Sequence, residues 1–167
     1  MISDIHGNFS AFNPKKLPAC DIALIAGDLT NHGFYAPAHV QPQATRETQE
    51  ARVWFEELSR HVQKIFWVQG NHDRGIPDAF LNPFAVNIRD QSVNLEFDGI
   101  QFSLRGVSLT CAFDHPSLVK QWAYTTADPS EDTAVFDFGP HNIIVSHGPP
   151  YGCRDRTNTG SHIRPLA

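Results

Sequence analysis

Four times along this sequence a short apolar run stops at a cluster of residues able to hold a cation. Ile2-Ser3 precedes Asp4-Ile5-His6-Gly7-Asn8, and Leu24-Ile25-Ala26 precedes Gly27-Asp28. Ile65-Phe66-Trp67-Val68 precedes Gly70-Asn71-His72-Asp73, and Ile143-Ile144-Val145 precedes Ser146-His147-Gly148. Short apolar runs of this composition are buried strands. In an α/β sheet, strand ends that converge on one edge build the ligand site. Asn, Gly and Asp alone make ordinary exposed turns, and an isolated Asp-x-His or Gly-Asp is most often such a turn. The same design at four successive strand ends points instead to one site.

The intervening chain supplies the scaffold. Asp21 to Ala26 reads as a strand, with Gly27 allowing the sharp bend that turns Asp28 toward a ligand. From Leu29 to Ala44, Gly33, Pro37 and Pro42 predict a loop, either a rim over the site or a plain excursion. From Thr45, the residues Ala51, Trp54, Phe55, Leu58, Val62 and Ile65 recur at three- and four-residue intervals. Arg46, Glu47, Glu50, Arg52, Glu56, Glu57 and Arg60 form the polar face of that helix. Trp54 and Phe55 are expected in the core rather than on a base-stacking surface. Strand, helix and strand make a βαβ unit.

Beyond Arg74 the period changes to two. Val93, Leu95 and Phe97, then Ile100, Phe102 and Leu104, alternate with polar residues around Asp98-Gly99, a strong hairpin signal. Antiparallel strands after a parallel unit predict a mixed sheet, or two packed sheets with helices outside. Ser117 to Tyr124 and Glu131 to Phe138 are short helical candidates, and Asn142 to Ser146 is the last strand.

The 167 residues suffice for one core, so residues 1–167 are read as a single domain. No apolar run approaches the roughly 18 residues of a membrane helix, and nothing at the N-terminus reads as a secretion signal. A net charge of -5 without a basic cluster argues against nucleic-acid binding. Cys20, Cys111 and Cys153 are odd in number, far apart and form no Cys-x-x-Cys pair, so they suggest neither a disulfide framework nor a thiolate zinc site and fit a reducing cytoplasm. Oligomeric state is not legible.

Carboxylate, imidazole and amide donors without thiolate suit Mn, Fe, Zn or similar divalent ions. Two ions bridged by a carboxylate are the machinery of phosphoester hydrolysis, and Asp28 is placed to be shared. With these blocks in hand, the chain resembles the calcineurin-like metallophosphoesterases, whose signature runs Asp-x-His, Gly-Asp, Gly-Asn-His-Asp/Glu, His-Gly and Gly-His-x-His. Four of the five blocks are present. Ser146-His147-Gly148-Pro149-Pro150 looks most like the branch with two prolines after its fourth block.

The resemblance implies a four-layer α/β/β/α sandwich with mixed sheets and a dinuclear hydrolase of small phosphomonoesters or phosphodiesters. It implies Asp4 and His6 on one ion, Asp28 bridging, Asn71 and His147 on the other, and His72 facing the phosphate. Asp73 either orients His72, caps the turn or pairs with Arg74. The absent Gly-His-x-His implies a domain incomplete at its C-terminus, with impaired activity, and Met1-Ile2-Ser3, too short for a full strand before Asp4, reads as a first strand clipped at the N-terminus. His162 is a weak substitute for that block, and His32, His39, His61, His115 and His141 are read as surface or core histidines. The rival readings are a catalytically inactive interaction domain on the same fold and a gene fragment. The retained Asp4, His6, Asp28, Asn71, His72 and His147 argue against long decay.

Overall fold

The computed structural model describes residues 1–33, 38–73, 75–107, 110–111, 125–126 and 143–148. In chain order these contain β1 (Ile22–Ala26), α1 (Gln41–Leu58), β2 (Lys64–Val68), β3 (Val86–Asn87), β4 (Ser92–Phe97), β5 (Ile100–Val107), β6 (Thr110–Cys111), β7 (Thr125–Thr126) and β8 (Ile143–Ser146). Strands β1, β2 and β3 form a parallel sheet, and β4, β5 and β8 a mixed one. The short β6 and β7 pair in parallel.

Period-two alternation along β1 and β2 divides their side chains between two cores. Ala23, Ile25, Ile65 and Trp67 face α1 and meet Trp54, Phe55 and Leu58. Ala26, Phe66 and Val68 face the second sheet and meet Leu95, Leu104 and Val145. The parallel sheet is therefore covered on both faces, as its continuous apolar strands demand. Trp54 and Phe55 are core residues, as expected, and Phe55 also packs edge-on against Trp67 at 6.2 Å. The layers among the described residues are helix, sheet and sheet. The expected helices 117–124 and 131–138 lie outside those residues.

Three expectations need correction. The helix begins at Gln41 rather than Thr45, because Pro42 sits in its first turn, where a missing N–H costs nothing and the fixed φ favours the helix. It ends at Leu58, so Val62 and Ile65 continue the apolar spacing without being helical, Ile65 being part of β2. Glu47, assigned to the polar face, is buried along with Thr48, because the inward stripe runs through Ala44, Glu47, Thr48, Ala51, Trp54, Phe55 and Leu58.

The βαβ unit and the hairpin form as expected. β1 and β2 pair from Ile22↔Lys64 to Ala26↔Val68, so both strands end level. β4 and β5 close at Phe97↔Ile100, with Asp98 at φ 50° and Gly99 at φ 78°, the two left-handed residues that a two-residue hairpin turn requires. Ile2 bridges Ile25 in parallel, which sets the N-terminal segment beside β1. Among the described residues no helix is long and apolar enough to cross a membrane.

The link between the sheets is tight at Gly106 in β5, where an added Cβ would collide with the Ile88 carbonyl oxygen and lie 2.7 Å from its carbon. Around Gly99 nothing lies within 4 Å of an added Cβ. Gly106→Ala should therefore cost about 3 kcal/mol through overpacking, and Gly99→Ala only about 1 kcal/mol, from its left-handed backbone. Urea denaturation of both variants checks this; a larger loss for Gly99→Ala would refute the close sheet-to-sheet crossing.

Candidate metal centre

Because β1 and β2 end level, the loops after Ala26 and Val68 leave the sheet side by side, and the N-terminal segment is zipped onto the first of them. Asp4 N donates to Gly27 O at 3.0 Å, His6 N to Asp28 O at 2.9 Å and Gly7 N to Leu29 O at 2.8 Å. To make these bonds Asp4, His6 and Asp28 adopt φ of 55°, 47° and 54°. Left-handed backbone is uncommon outside glycine, and its accumulation here is the pattern of strain held at a functional site. The neighbouring glycines allow contact between loops. A Cβ on Gly27 would lie 2.6 Å from Gly70 N and 2.7 Å from His147 Nδ1, and one on Gly70 would collide with the Asp28 carboxylate.

Asp28 stands at the middle and is buried. Its Oδ1 accepts the His72 N–H at 2.9 Å, while Oδ2 lies 3.5 Å from His6 Nε2 and 3.4 Å from His147 Nε2. His147 Nε2 is also 2.9 Å from Asn71 Oδ1, and His6 Nε2 is 3.9 Å from Asp4 Oδ1. Among the described residues two sets of donor atoms, each within 4.8 Å of one another, emerge: His6, Asp28 and His72, and Asp4, Asp28 and His147. Asp28 belongs to both. This grouping differs from the one implied by resemblance, in which Asp4 accompanies His6 and His72 holds no ion.

The imidazoles are held from behind. His147 Nδ1 lies 2.8 Å from Ala26 O, and His72 Nδ1 lies 2.9 Å from Asn31 O. A carbonyl oxygen only accepts, so in both rings Nδ1 carries the proton and Nε2 is turned to the pocket. A histidine that donates its other N–H to a backbone carbonyl is the usual support of a metal ligand. The His6 and His72 rings meet edge to face at 4.7 Å.

The charge balance of the pocket favours a cation. Burial works against the His147 imidazolium, yet the hydrogen bond and charge of Asp28, with the Ala26 carbonyl and Asp4, push its pKa up to about 9. Burial would likewise raise the Asp28 carboxyl, but the hydrogen bond and charge of His147, with help from His72, hold it below the usual carboxylate range. Donors that stabilise a proton at His147 Nε2 are those a divalent ion would use in its place, with release of that proton. The residues present thus fit a divalent ion by charge, by donor type and by spacing.

Among the described residues, Asp73 takes the capping role of its three expected ones. It is fully buried, with Oδ1 accepting from Thr30 N at 3.1 Å and Thr30 Oγ1 at 3.3 Å and Oδ2 from Gly70 N at 3.0 Å. It caps its own turn and ties it to the loop after β1. Burial first, and then the charge of Asp28, raise it to about 6 against the N–H groups of Gly70 and Thr30. Arg74 lies outside the described residues. His39 is exposed, His32 is half-buried and His61 pairs with Glu57 at 3.2 Å, while His115, His141 and His162 lie outside the described residues. Thr30, Asn31 and Glu47 were not singled out by the sequence. Asn31 stands three residues after Asp28, which was the one available signal. The loop after β1, read as a rim or an excursion, starts as a floor: Leu29 and Thr30 are fully buried.

A family model described as calcineurin-like phosphoesterase matches residues 1–163. No curated protein matches the chain.

An ion bound only by the folded chain stabilises it by mass action, by about 2.7 kcal/mol at a hundredfold excess over its dissociation constant. Millimolar Mn²⁺ should therefore raise the thermal midpoint by several degrees, and Asp28→Ala should remove most of that rise, because both donor sets lose their shared member. Calorimetry with and without Mn²⁺ checks it; an equal rise in the Asp28→Ala chain would place the ion elsewhere.

Proposed function

We propose, from the premise that the chain belongs to the calcineurin-like phosphoesterase family, that it hydrolyses small phosphomonoesters or phosphodiesters with a pair of divalent ions at this edge. The observation that carries the reading is the position of Asp28, whose carboxylate is common to both donor sets. In this reading Asp28 bridges, Asp4 and His6 serve one ion, and Asn71 and His147 serve the other. Oxygen and imidazole donors favour Mn, Fe or Zn. When bound, such ions supply Lewis acidity toward a phosphoryl oxygen and acidify water toward neutral pH.

His72 is assigned to the ester rather than to an ion. With Nδ1 anchored on Asn31 O, its Nε2 faces the same pocket as Asp28 and His6. From there it can stabilise charge developing on the phosphoryl group or give a proton to the leaving oxygen. Asn71 orients His147 through the 2.9 Å contact in addition to offering its own oxygen. The buried Asp73 keeps the Gly70–Asp73 turn in place beneath both.

The test compares His72→Ala and Asn71→Ala with the unmodified chain on a chromogenic phosphodiester and monoester. His72→Ala should keep the Mn²⁺-dependent midpoint rise while turnover falls by about 10² or more. Asn71→Ala should weaken the Mn²⁺ response itself. A His72→Ala chain emptied of metal would reverse the roles. An unmodified chain that binds Mn²⁺ and cleaves neither ester would favour an interaction domain built on the same fold.

A further inference from the structure

Glu47 is a buried carboxylate that the ion and ester sites do not use. It lies in α1, is 4% exposed, and among the described residues no lysine or arginine forms an ion pair with it. Its oxygens are filled by neutral donors. Oε2 accepts from Asn31 N at 2.8 Å, and Oε1 accepts from Asn31 Nδ2 at 3.0 Å and Gln43 Nε2 at 2.7 Å. Burial opposes its ionisation, but these bonds to Asn31 and Gln43, with the nearby His32, hold its carboxyl below the usual range. An ionised acceptor makes each of these bonds stronger than a neutral one would.

Asn31 is thus gripped by one carboxylate at both its backbone and its side chain, and its other hydrogen bonds among the described residues point to the site. Its second Nδ2 hydrogen goes to His6 O at 2.8 Å, and its own carbonyl receives the His72 Nδ1–H at 2.9 Å. The stem of Glu47 lies under the same loop, with Cγ 3.2 Å from where a Cβ on Gly7 would sit. The chain of contacts runs from a helix, the stiffest element nearby, through one loop residue to the carbonyl of a candidate ligand and to the ring of the candidate catalytic histidine. Sites held from rigid elements keep their geometry better than sites held by loops alone.

We propose that Glu47 is a positioning residue, which through Asn31 fixes the Nδ1–H tautomer and ring orientation of His72 and the path of the His6 loop. The effect on turnover rests on the phosphoesterase reading; the effect on the His72 ring does not. Glu47→Gln is the direct test, because it keeps size and burial but turns an amide N–H₂ against a donor of Asn31, leaving at least one of the Asn31 donors without an acceptor.

Two readouts separate positioning from mere stability. Nitrogen-15 NMR of the metal-free protein, above neutral pH, should show His72 as the Nδ1–H tautomer in the unmodified chain and as a mixture in Glu47→Gln. Turnover of a chromogenic phosphoester with Mn²⁺ should fall about 10- to 100-fold in kcat, with the Mn²⁺-dependent midpoint rise retained. An unchanged His72 tautomer in a folded Glu47→Gln chain overturns the proposal, whatever happens to the midpoint. Should Glu47→Gln fail to fold, Asn31→Ala breaks the same link from the other side while leaving the Asn31 carbonyl, and its His72 spectrum decides in the same way. If the unmodified chain shows neither a Mn²⁺ response nor turnover, the phosphoesterase reading falls, and the tautomer comparison still rules on Glu47.

Discussion

Three loops at the functional edge approach one another within the width of a methyl group, and the rest of the site follows from that approach. A side chain at Gly27 would strike both Gly70 N and His147 Nδ1, and one at Gly70 would strike Asp28. Only because these two positions are bare can the exits of β1, β2 and β8 share a single carboxylate. Glycine costs conformational entropy wherever it is fixed, and here that cost is offset by the backbone ladder from Asp4 N, His6 N and Gly7 N to the loop after β1.

The close approach also sets the electrostatics. Asp28 and Asp73 are both buried and both accept backbone N–H bonds, yet one carboxyl is lowered and the other raised to about 6. The difference is their neighbours. Asp28 has the His147 imidazole 3.4 Å away, whereas Asp73, among the described residues, accepts from Thr30 and Gly70 and feels the negative charge of Asp28. Environment, not residue type, holds one carboxyl below the usual range and pushes the other above it.

What the sequence made legible was whatever has a local signature. The strand ends, the βαβ unit and the Asp98-Gly99 hairpin each follow from a run, a period or a turn pair, and residues 1–163 match the family that the strand-end blocks suggested. Pro42 misled because a breaker inside a helix and a favoured first-turn residue are the same letter. Glu47 misled because period alone cannot tell a solvated carboxylate from one whose oxygens are filled by Asn31 and Gln43. The role of Asp73 was undecidable in one dimension, since its partner Thr30 is 43 residues distant.

That distance in sequence bears on how the protein comes to exist. The bond between His147 and Ala26 spans 121 positions, and that between His147 and Asn71 spans 76. Closing loops of that length is entropically costly and comes late relative to local contacts. A polypeptide emerging during synthesis therefore forms its helix-backed parallel strands first and acquires His147 at the centre only after β8 has docked against β5. The candidate pocket is thus closed by the longest-range of these contacts, and an ion that needs His147 would find its full donor set only once β8 is in place.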